Sequence, residues 1–372
     1  MSAQAFLQGL YPASTSANLQ TLANGTTESA PLNGYQYVLL NGIPADAPET
    51  IQIAGDQNCP VMTAASQAYY NSTKFLMMKN QTQDFYNKFI PLISSDFTPS
   101  QIGFQSAYNI FDYLNVGYIH NSTIYNNLSA ADLYQLRTLA DSQSFDLVYN
   151  ASSPNVSIGG KMLANLVLSH LNQTAAQTSP SLKVTYFAGA YSVMLSFWGL
   201  TNLTAASPNF YGLPDYASTM AFELRRPVNT SGFDNLSVRF GFRNGSLPST
   251  ELTYFPMFGQ SDLDMAWSDW SRNLASISIP STGDWCTTCN SVQTFCTGSG
   301  KAAGSATAGS ASSDASGSSG SGLSNAAAGG IGAGVTIGVI ALIEGAMALC
   351  YFSRRRSLAG RGEKVPSETG SK

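Results

Sequence analysis

Few side chains in this sequence are suited to catalysis, and its two histidines come first. Histidine can act as a general base, a nucleophile or a metal ligand near neutral pH. His120 directly precedes a glycosylation sequon at Asn121, and His170 lies in an apolar run with a second sequon at Asn172. An imidazole rarely catalyses without a carboxylate placed beside it. We therefore expect His120 and His170 to be structural.

The remaining charged candidates lie in the second half of the chain. Asp262, Asp264 and Asp269 stand before and within a helical pattern. They could pair as acid and base, but acidic residues at the start of a helix usually complement its dipole. Arg225 and Arg226 end a strand pattern and could contact an anion, although alternation along a strand sends one of them to solvent. We expect the aspartates to be structural.

Four of the five cysteines lie outside the apolar C-terminal segment and could bind a metal or form disulfides. Cys286 and Cys289 form a C-x2-C pair, Cys296 follows seven residues later, and Cys59 is distant in sequence. A zinc site would need Cys59 as its fourth ligand, and an oxidising compartment favours disulfides instead. We predict two disulfides and no metal site, with all three pairings open.

Twelve N-x-S/T sequons support an oxidising compartment and a glycosylated domain. They lie at Asn24, Asn71, Asn80, Asn121, Asn127, Asn150, Asn155, Asn172, Asn202, Asn229, Asn235 and Asn244. Charged residues make up only 11% of the 372 residues, and the net charge is -4. This composition argues against a basic nucleic-acid binder and a highly charged disordered chain. We expect no nucleic-acid partner.

The C-terminal fifth of the sequence predicts a membrane anchor. Residues 298–325 are rich in Gly, Ser and Ala and read as a flexible stalk, and 326–352 are apolar over a length that can span a bilayer. Arg354, Arg355 and Arg356 begin a basic tail, 353–372, that the positive-inside rule places in the cytosol. We therefore predict a single-pass type I membrane protein whose residues 1–297 are lumenal or extracellular.

Small residues in the predicted span have two readings. Gly330, Gly334 and Gly338 recur every fourth residue and could form a homodimer face. Glycine is also common in membrane helices generally, which is the reading we favour.

The first residues conflict with secretion. MSAQAFLQGLYPAST has neither a basic n-region nor an apolar h-region, so it is not a signal peptide. Either an N-terminal part is missing, or the chain is tail-anchored and residues 1–325 are cytosolic. We expect truncation.

The elements that must position these residues alternate between strand and helix patterns. Residues 35–40 and 182–189 read as strands, and 64–171 is mostly helical. A helix follows through Val193 and Trp198, then two strands ending at an Asn244-Gly245 turn, and a final helix near 264–274. The pattern predicts an α/β sheet domain with a helical insertion.

Several segments, in order, resemble the histidine acid phosphatase family and its fungal relatives. They are MSAQAFLQGLYP at the start, NCP at 58–60, FDYLNVGYIHN at 111–121, IGGKMLANLVLSHL at 158–171, PDYASTMAFELRR at 214–226 and the cysteine cluster at 285–296. The resemblance covers about residues 1–296 and implies a three-layer phosphoglycerate-mutase-like fold.

The resemblance also implies a chemistry. Members of this family hydrolyse phosphomonoesters with a His nucleophile in an RHGxRxP motif, Arg residues that cradle the phosphate, and a late His-Asp pair whose Asp protonates the leaving group. None of them is matched here: RHGxRxP does not occur, and Gly189 and Ala190 occupy the His-Asp position. Neither of those residues can transfer a proton, and no cofactor is implied.

Three functional hypotheses follow. The chain is a catalytically inactive phosphatase-fold ectodomain that binds a phosphorylated or sugar ligand, an active acid phosphatase whose true start lies upstream, or a non-enzymatic cell-surface glycoprotein. The Gly189-Ala190 replacement favours the first hypothesis.

Overall fold

The computed structural model describes residues 2–14, 19–30, 34–176, 183–227, 235–247 and 249–297. These residues lie in the first of two units, which spans 1–302. The predicted stalk, membrane span with Gly330, Gly334 and Gly338, and basic tail lie outside the described residues. Within the described part of the chain, no helix combines the length and the apolar composition needed to cross a membrane.

Helices dominate the first two thirds of the domain, as the sequence predicted for 64–171. The helices are α1 (Ser2–Leu10), α2 (Ile51–Ala54), α3 (Pro60–Tyr69), α4 (Thr73–Asn87), α5 (Ile90–Ile93), α6 (Ala107–His120), α7 (Ser122–Asn127), α8 (Ala130–Val148), α9 (Ile158–Ala175), α10 (Tyr191–Leu200), α11 (Leu203–Ala206), α12 (Trp267–Ile277), α13 (Thr282–Cys289) and α14 (Thr294–Thr297).

Local capping explains where several of these helices begin. The Ser72 hydroxyl accepts a hydrogen bond from the Phe75 amide, at 3.2 Å, at the start of α4. Ser129 does the same for the Asp132 amide, at 3.0 Å, at the start of α8. Each cap satisfies an amide that the first turn of a helix would leave without a partner.

The strands form two antiparallel sheets. β1 (Leu19–Thr21) and β2 (Thr27–Ser29) make a small hairpin. In the larger sheet, β4 (Ser237–Arg243) pairs with β3 (Thr219–Arg225), β5 (Thr253–Phe255) and β6 (Asp264–Ala266). The predicted pair of strands is therefore confirmed, and it is part of a mixed α/β domain. The three-layer arrangement of the family stays a prediction.

Alternation along the strands decides which face of the larger sheet is buried. Phe240 and Val238 are almost fully buried, whereas Glu223 and Arg239, paired across β3 and β4, lie on the opposite face. The buried face meets α10, where the rings of Trp198 and Phe242 lie 5.1 Å apart. Apolar burial of this kind is the main stabilising contribution to the domain.

Close packing of α9 against α10 depends on a glycine. The Gly160 amide donates to the Ser196 hydroxyl at 3.1 Å. A Cβ atom on Gly160 would lie 2.6 Å from the backbone nitrogen of Phe197. The two helix backbones can approach this closely because residue 160 has no side chain.

Two disulfides form in the described residues, one between distant segments and one local. Cys59 pairs with Cys289, and Cys286 pairs with Cys296. Beside them the Trp285 indole, fully buried, donates to the Gly55 carbonyl at 2.9 Å. The prediction of two disulfides is confirmed, and the fold selects one of the three pairings.

Two predicted strands are wrong. Residues 35–40 and the described part of 182–189 have no helix or strand structure. Tyr37, Leu39 and Val184 are 91%, 85% and 60% exposed. A strand requires a neighbour for its backbone groups, and in the described residues neither segment pairs with one. An apolar strand pattern in the sequence is therefore not sufficient by itself to form a strand.

Candidate functional site

A cleft of about 270 Å³ lies where α6, α8 and the start of α10 meet residues 213–218. Its aromatic side chains include Tyr108, Tyr191 and Tyr216, and its charged side chains are Asp112, Arg137 and Asp215. The volume of the cleft is just below the usual range of small-molecule sites. The cleft combines aromatic surface with a few polar groups, the composition expected of a ligand site.

Gly189 and Ala190 line this cleft. Ala190 is the N-cap residue of α10, with extended backbone (φ −84°, ψ 158°) and no side-chain capping hydrogen bond. An Asp or Asn there would accept a hydrogen bond from the first turn of the helix. The alanine supplies neither a cap nor an acid, so this wall of the cleft offers only backbone polar groups.

Arg137 on α8 is already bound to groups of the protein. One of its terminal nitrogens forms an ion pair with Asp215, and the other donates to the Leu213 carbonyl at 2.6 Å. Asp141, one turn along the same helix, accepts from the Leu213 amide at 2.8 Å. These contacts fasten residues 213–215 to α8 and leave the guanidinium largely occupied.

Burial affects the Asp141 carboxyl beneath this contact. Loss of solvent raises the pKa of Asp141, and the hydrogen bond from Leu213 and the charge of Arg137 oppose that rise. The side chain therefore acts as a structural acceptor behind the cleft.

Tyrosine hydroxyls surround Asp112 on α6. The Tyr216 hydroxyl donates to the Asp112 carboxylate, and the rings of Tyr108 and Tyr191 lie 4.9 Å apart. The Asp112 hydrogen bond and then burial raise the pKa of Tyr216, while burial is the main cause of the raised pKa of Tyr108 and Tyr191. All three phenols therefore stay protonated at physiological pH and serve as neutral hydrogen-bonding groups.

The histidines named in the sequence lie away from these groups. His120 is exposed at the end of α6. His170 is half-buried on α9, its ring 5.0 Å from that of Phe187, and its buried Nδ1 has no hydrogen-bond partner. Burial lowers the pKa of His170. No carboxylate is hydrogen-bonded to its Nδ1, and neither histidine lines the cleft.

Asp264 has a different role from the one predicted, whereas Asp269 has the predicted position at the start of a helix. Asp264 belongs to β6, where Arg225 and Arg239 both donate to its carboxylate. These bonds, led by that of Arg239, lower the pKa of Asp264. The predicted helix-dipole role is therefore wrong for Asp264, because strand pairing delays the start of α12 to Trp267. Asp269 lies in the first turn of α12 and pairs with Arg272.

The other predicted site residues are distributed over the surface and the disulfides. Arg226 is exposed at the end of β3. All four cysteines are consumed by disulfides, and no group of three His, Cys, Asp or Glu side chains suited to a metal occurs in the described residues. Eleven of the predicted sequon asparagines are exposed; Asn229 lies outside the described residues.

Sequence reasoning missed Asp112, Arg137 and the cleft tyrosines as functional candidates. A signal was nevertheless present, since Asp112 lies in FDYLNVGYIHN and Tyr216 in PDYASTM. Both segments had been noted for their resemblance to phosphatases, and the fold brings them together at the cleft. Arg137 carried no such signal.

Comparison with known protein families matches residues 1–242 to the histidine phosphatase superfamily (branch 2). The chain belongs to this superfamily. The match includes every residue of the cleft described above. A search of curated proteins finds no match. For this histidine phosphatase superfamily member, the open question is what the cleft can do without a proton donor at Gly189 and Ala190.

Proposed function

We propose that this superfamily member binds a ligand in its cleft and does not hydrolyse phosphomonoesters. The single observation that carries the proposal is that Gly189 and Ala190 line the cleft. Phosphomonoester hydrolysis by a covalent route needs an activated nucleophile and an acid for the leaving oxygen. No histidine lines the cleft in the described residues.

The charged groups that do line the cleft are poor replacements. Asp112 is held by the Tyr216 hydroxyl, and Arg137 is held by Asp215 and Leu213. A phosphoryl group in transfer needs cationic donors for its oxygens, and here the guanidinium already has a carboxylate partner. These contacts support binding rather than catalysis.

The test is hydrolysis of p-nitrophenyl phosphate by the purified full-length chain in detergent between pH 4 and 7. We expect no turnover above the uncatalysed rate. A matched variant, Gly189→His combined with Ala190→Asp, restores the acid of the family motif and is also expected to be inactive. Saturable hydrolysis that disappears in Asp112→Asn would disprove the proposal and identify Asp112 as the acid.

We further propose that residues 1–297 form the glycosylated ectodomain of a single-pass type I membrane protein of the fungal, membrane-anchored kind. Two disulfides support an oxidising compartment, and the eleven described sequon asparagines are accessible to modification. Treatment of the cell-derived protein with an N-glycosidase is expected to increase its gel mobility. Unchanged mobility would contradict this placement.

A further inference from the structure

The cleft has the chemistry of a site for a neutral sugar rather than for a phosphorylated compound. We infer that its ligand is an uncharged saccharide, stacked on Tyr216 and hydrogen-bonded to Asp112. The inference rests on the proposed function, since it names the ligand class of the same cleft.

Charge is the first argument. Among the cleft residues that the structure describes, Arg137 is positively charged and Asp112 and Asp215 are negatively charged. A phosphomonoester carries a charge of roughly −1.5 to −2 near neutral pH, so Asp112 would repel it. Asp215 already neutralises Arg137. An anion would therefore have to displace an existing ion pair before it gained a cation.

Hydrogen-bonding capacity is the second argument. An ionised carboxylate can only accept hydrogen bonds, and its two oxygens offer about four positions. Tyr216 donates to one oxygen of Asp112. Asn115 adds an amide to the same cleft, whereas the Ser218 hydroxyl already forms hydrogen bonds with Asp215, Asn244 and Gly245. Sugar hydroxyls donate and accept, so they complement this set, whereas the oxygens of a phosphate dianion can only accept.

The tyrosines supply the third argument. Tyr216 is 66% exposed although its hydroxyl is fixed by Asp112. A ring held in place at the mouth of a cleft loses little conformational freedom when a ligand binds. The faces of aromatic rings carry negative potential, and sugar C–H groups are weakly positive. A pyranose ring can therefore stack on Tyr216 while its hydroxyls reach Asp112.

Size limits the ligand to a small one. The cleft volume of about 270 Å³ lies just below the usual range for drug-sized molecules. A single sugar residue, or the terminal residue of a longer glycan, matches this volume. The expected affinity is weak, with a Kd on the order of 1 mM for a monosaccharide glycoside.

The experiment measures binding to the full-length chain in detergent by isothermal titration calorimetry and saturation-transfer NMR. The neutral probes are the methyl glycosides of mannose, glucose and galactose, and the anionic probes are glucose 6-phosphate and inorganic phosphate. We expect at least one glycoside to bind at least about tenfold more tightly than either anion.

Variants assign the binding to the cleft. Tyr216→Ala is expected to weaken glycoside binding about tenfold or more, and Tyr216→Phe, which keeps the ring, less than about threefold. Asp112→Ala should also cost about tenfold because a charged acceptor is lost. Tyr134→Ala is the matched control, since Tyr134 is 73% exposed on α8 and is not part of the cleft.

A gain-of-binding variant tests the charge argument directly. Asp215→Ala removes the closer carboxylate partner of Arg137. It leaves Asp141, whose carboxylate lies 4.0 Å from the Arg137 Nε and also accepts from the Leu213 amide. The released guanidinium should raise the affinity for inorganic phosphate about tenfold or more, because charge-assisted bonds to phosphate are strong. No gain would show that the ion pair does not exclude anions and would overturn the charge argument.

The outcomes separate this inference from the proposed function. The inference is overturned if either anion binds more tightly than every glycoside, or if no glycoside binds. Neither result contradicts the proposed absence of hydrolysis. Release of phosphate from glucose 6-phosphate overturns the proposed function, while the glycoside titrations still decide the ligand class.

Discussion

The disulfide-linked region and the segment 183–190, whose Gly189 and Ala190 line the cleft, differ in burial and in regular structure. At the first, Cys59 and Cys289 join segments 230 residues apart beside the fully buried Trp285. At the second, the chain has no helix or strand structure until α10 begins, and Gly189 and Ala190 are exposed. The first region therefore holds distant segments together, whereas the second adds no polar side chain to the cleft. A change of residue type at 189 or 190 can alter the chemistry of the cleft without loss of the fold.

Removal of the long-range disulfide should have the largest effect. A disulfide that closes a loop of 230 residues restricts the unfolded chain more than one that closes a loop of 10 residues. Removal should therefore lower the free energy of unfolding by about 5 kcal/mol for the first and about 3 kcal/mol for the second. Urea unfolding of Cys59→Ala with Cys289→Ala, against Cys286→Ala with Cys296→Ala as the matched control, measures the two losses. Equal losses would contradict an entropic origin.

An added methyl group compares the cleft wall with the packed contact between α9 and α10. Gly160→Ala should lower the free energy of unfolding by about 1–3 kcal/mol, because its Cβ would lie 2.6 Å from the Phe197 nitrogen. Gly189→Ala is the matched control. Its Cβ would meet only Ile53, at 3.3 Å or more, and the expected change stays within about 0.5 kcal/mol. A loss at residue 189 as large as that at residue 160 would show that the cleft wall is as tightly packed as the core.

Ala190→Asp should stabilise the protein. Residue 190 is the N-cap of α10 and has no side-chain cap, and the missing cap corresponds to about 1 kcal/mol. Ala190→Asn, which caps without adding a charge, should give a similar gain in thermal unfolding. Neither variant is expected to hydrolyse p-nitrophenyl phosphate. No gain in either variant would show that the side chain does not cap α10.

The smallest effect is a dependence on pH through His170. Burial lowers the pKa of this imidazole below its ordinary value of 6.5, so the unfolded chain takes up a proton more readily than the folded one. The stability contribution is complete above the unfolded pKa and is lost as pH falls from about 6.5 towards the folded pKa. Urea midpoints at pH 7.5 and 5 should therefore differ less in His170→Gln than in the parent protein.

The exposed His120 provides the control for this titration. His120→Gln replaces the other histidine of the chain, which is exposed at the end of α6, and is the matched variant. If both variants reduce the pH dependence of the urea midpoint equally, burial of His170 is not the cause of that dependence.

Local patterns predicted the long helices and one pair of strands. Helical periodicity predicted the region that contains α6 and α8, and alternation predicted β3 and β4. The buried-strand pattern at 35–40 and the alternation at 182–189 did not produce strands in the described residues, because a strand forms only where another strand satisfies its backbone groups. Asp264 was misassigned for a related reason, since its partners Arg225 and Arg239 come from neighbouring strands.

The sequence alone determined the superfamily resemblance, the number of disulfides and the absence of a proton donor at Gly189 and Ala190. These follow from residue types and their order along the chain. Only the tertiary structure decided which cysteines pair and that Asp112, Arg137 and Tyr216 face one cleft. These residues come from distant segments, and their proximity depends on the packing of α6, α8 and α10, which no local pattern specifies.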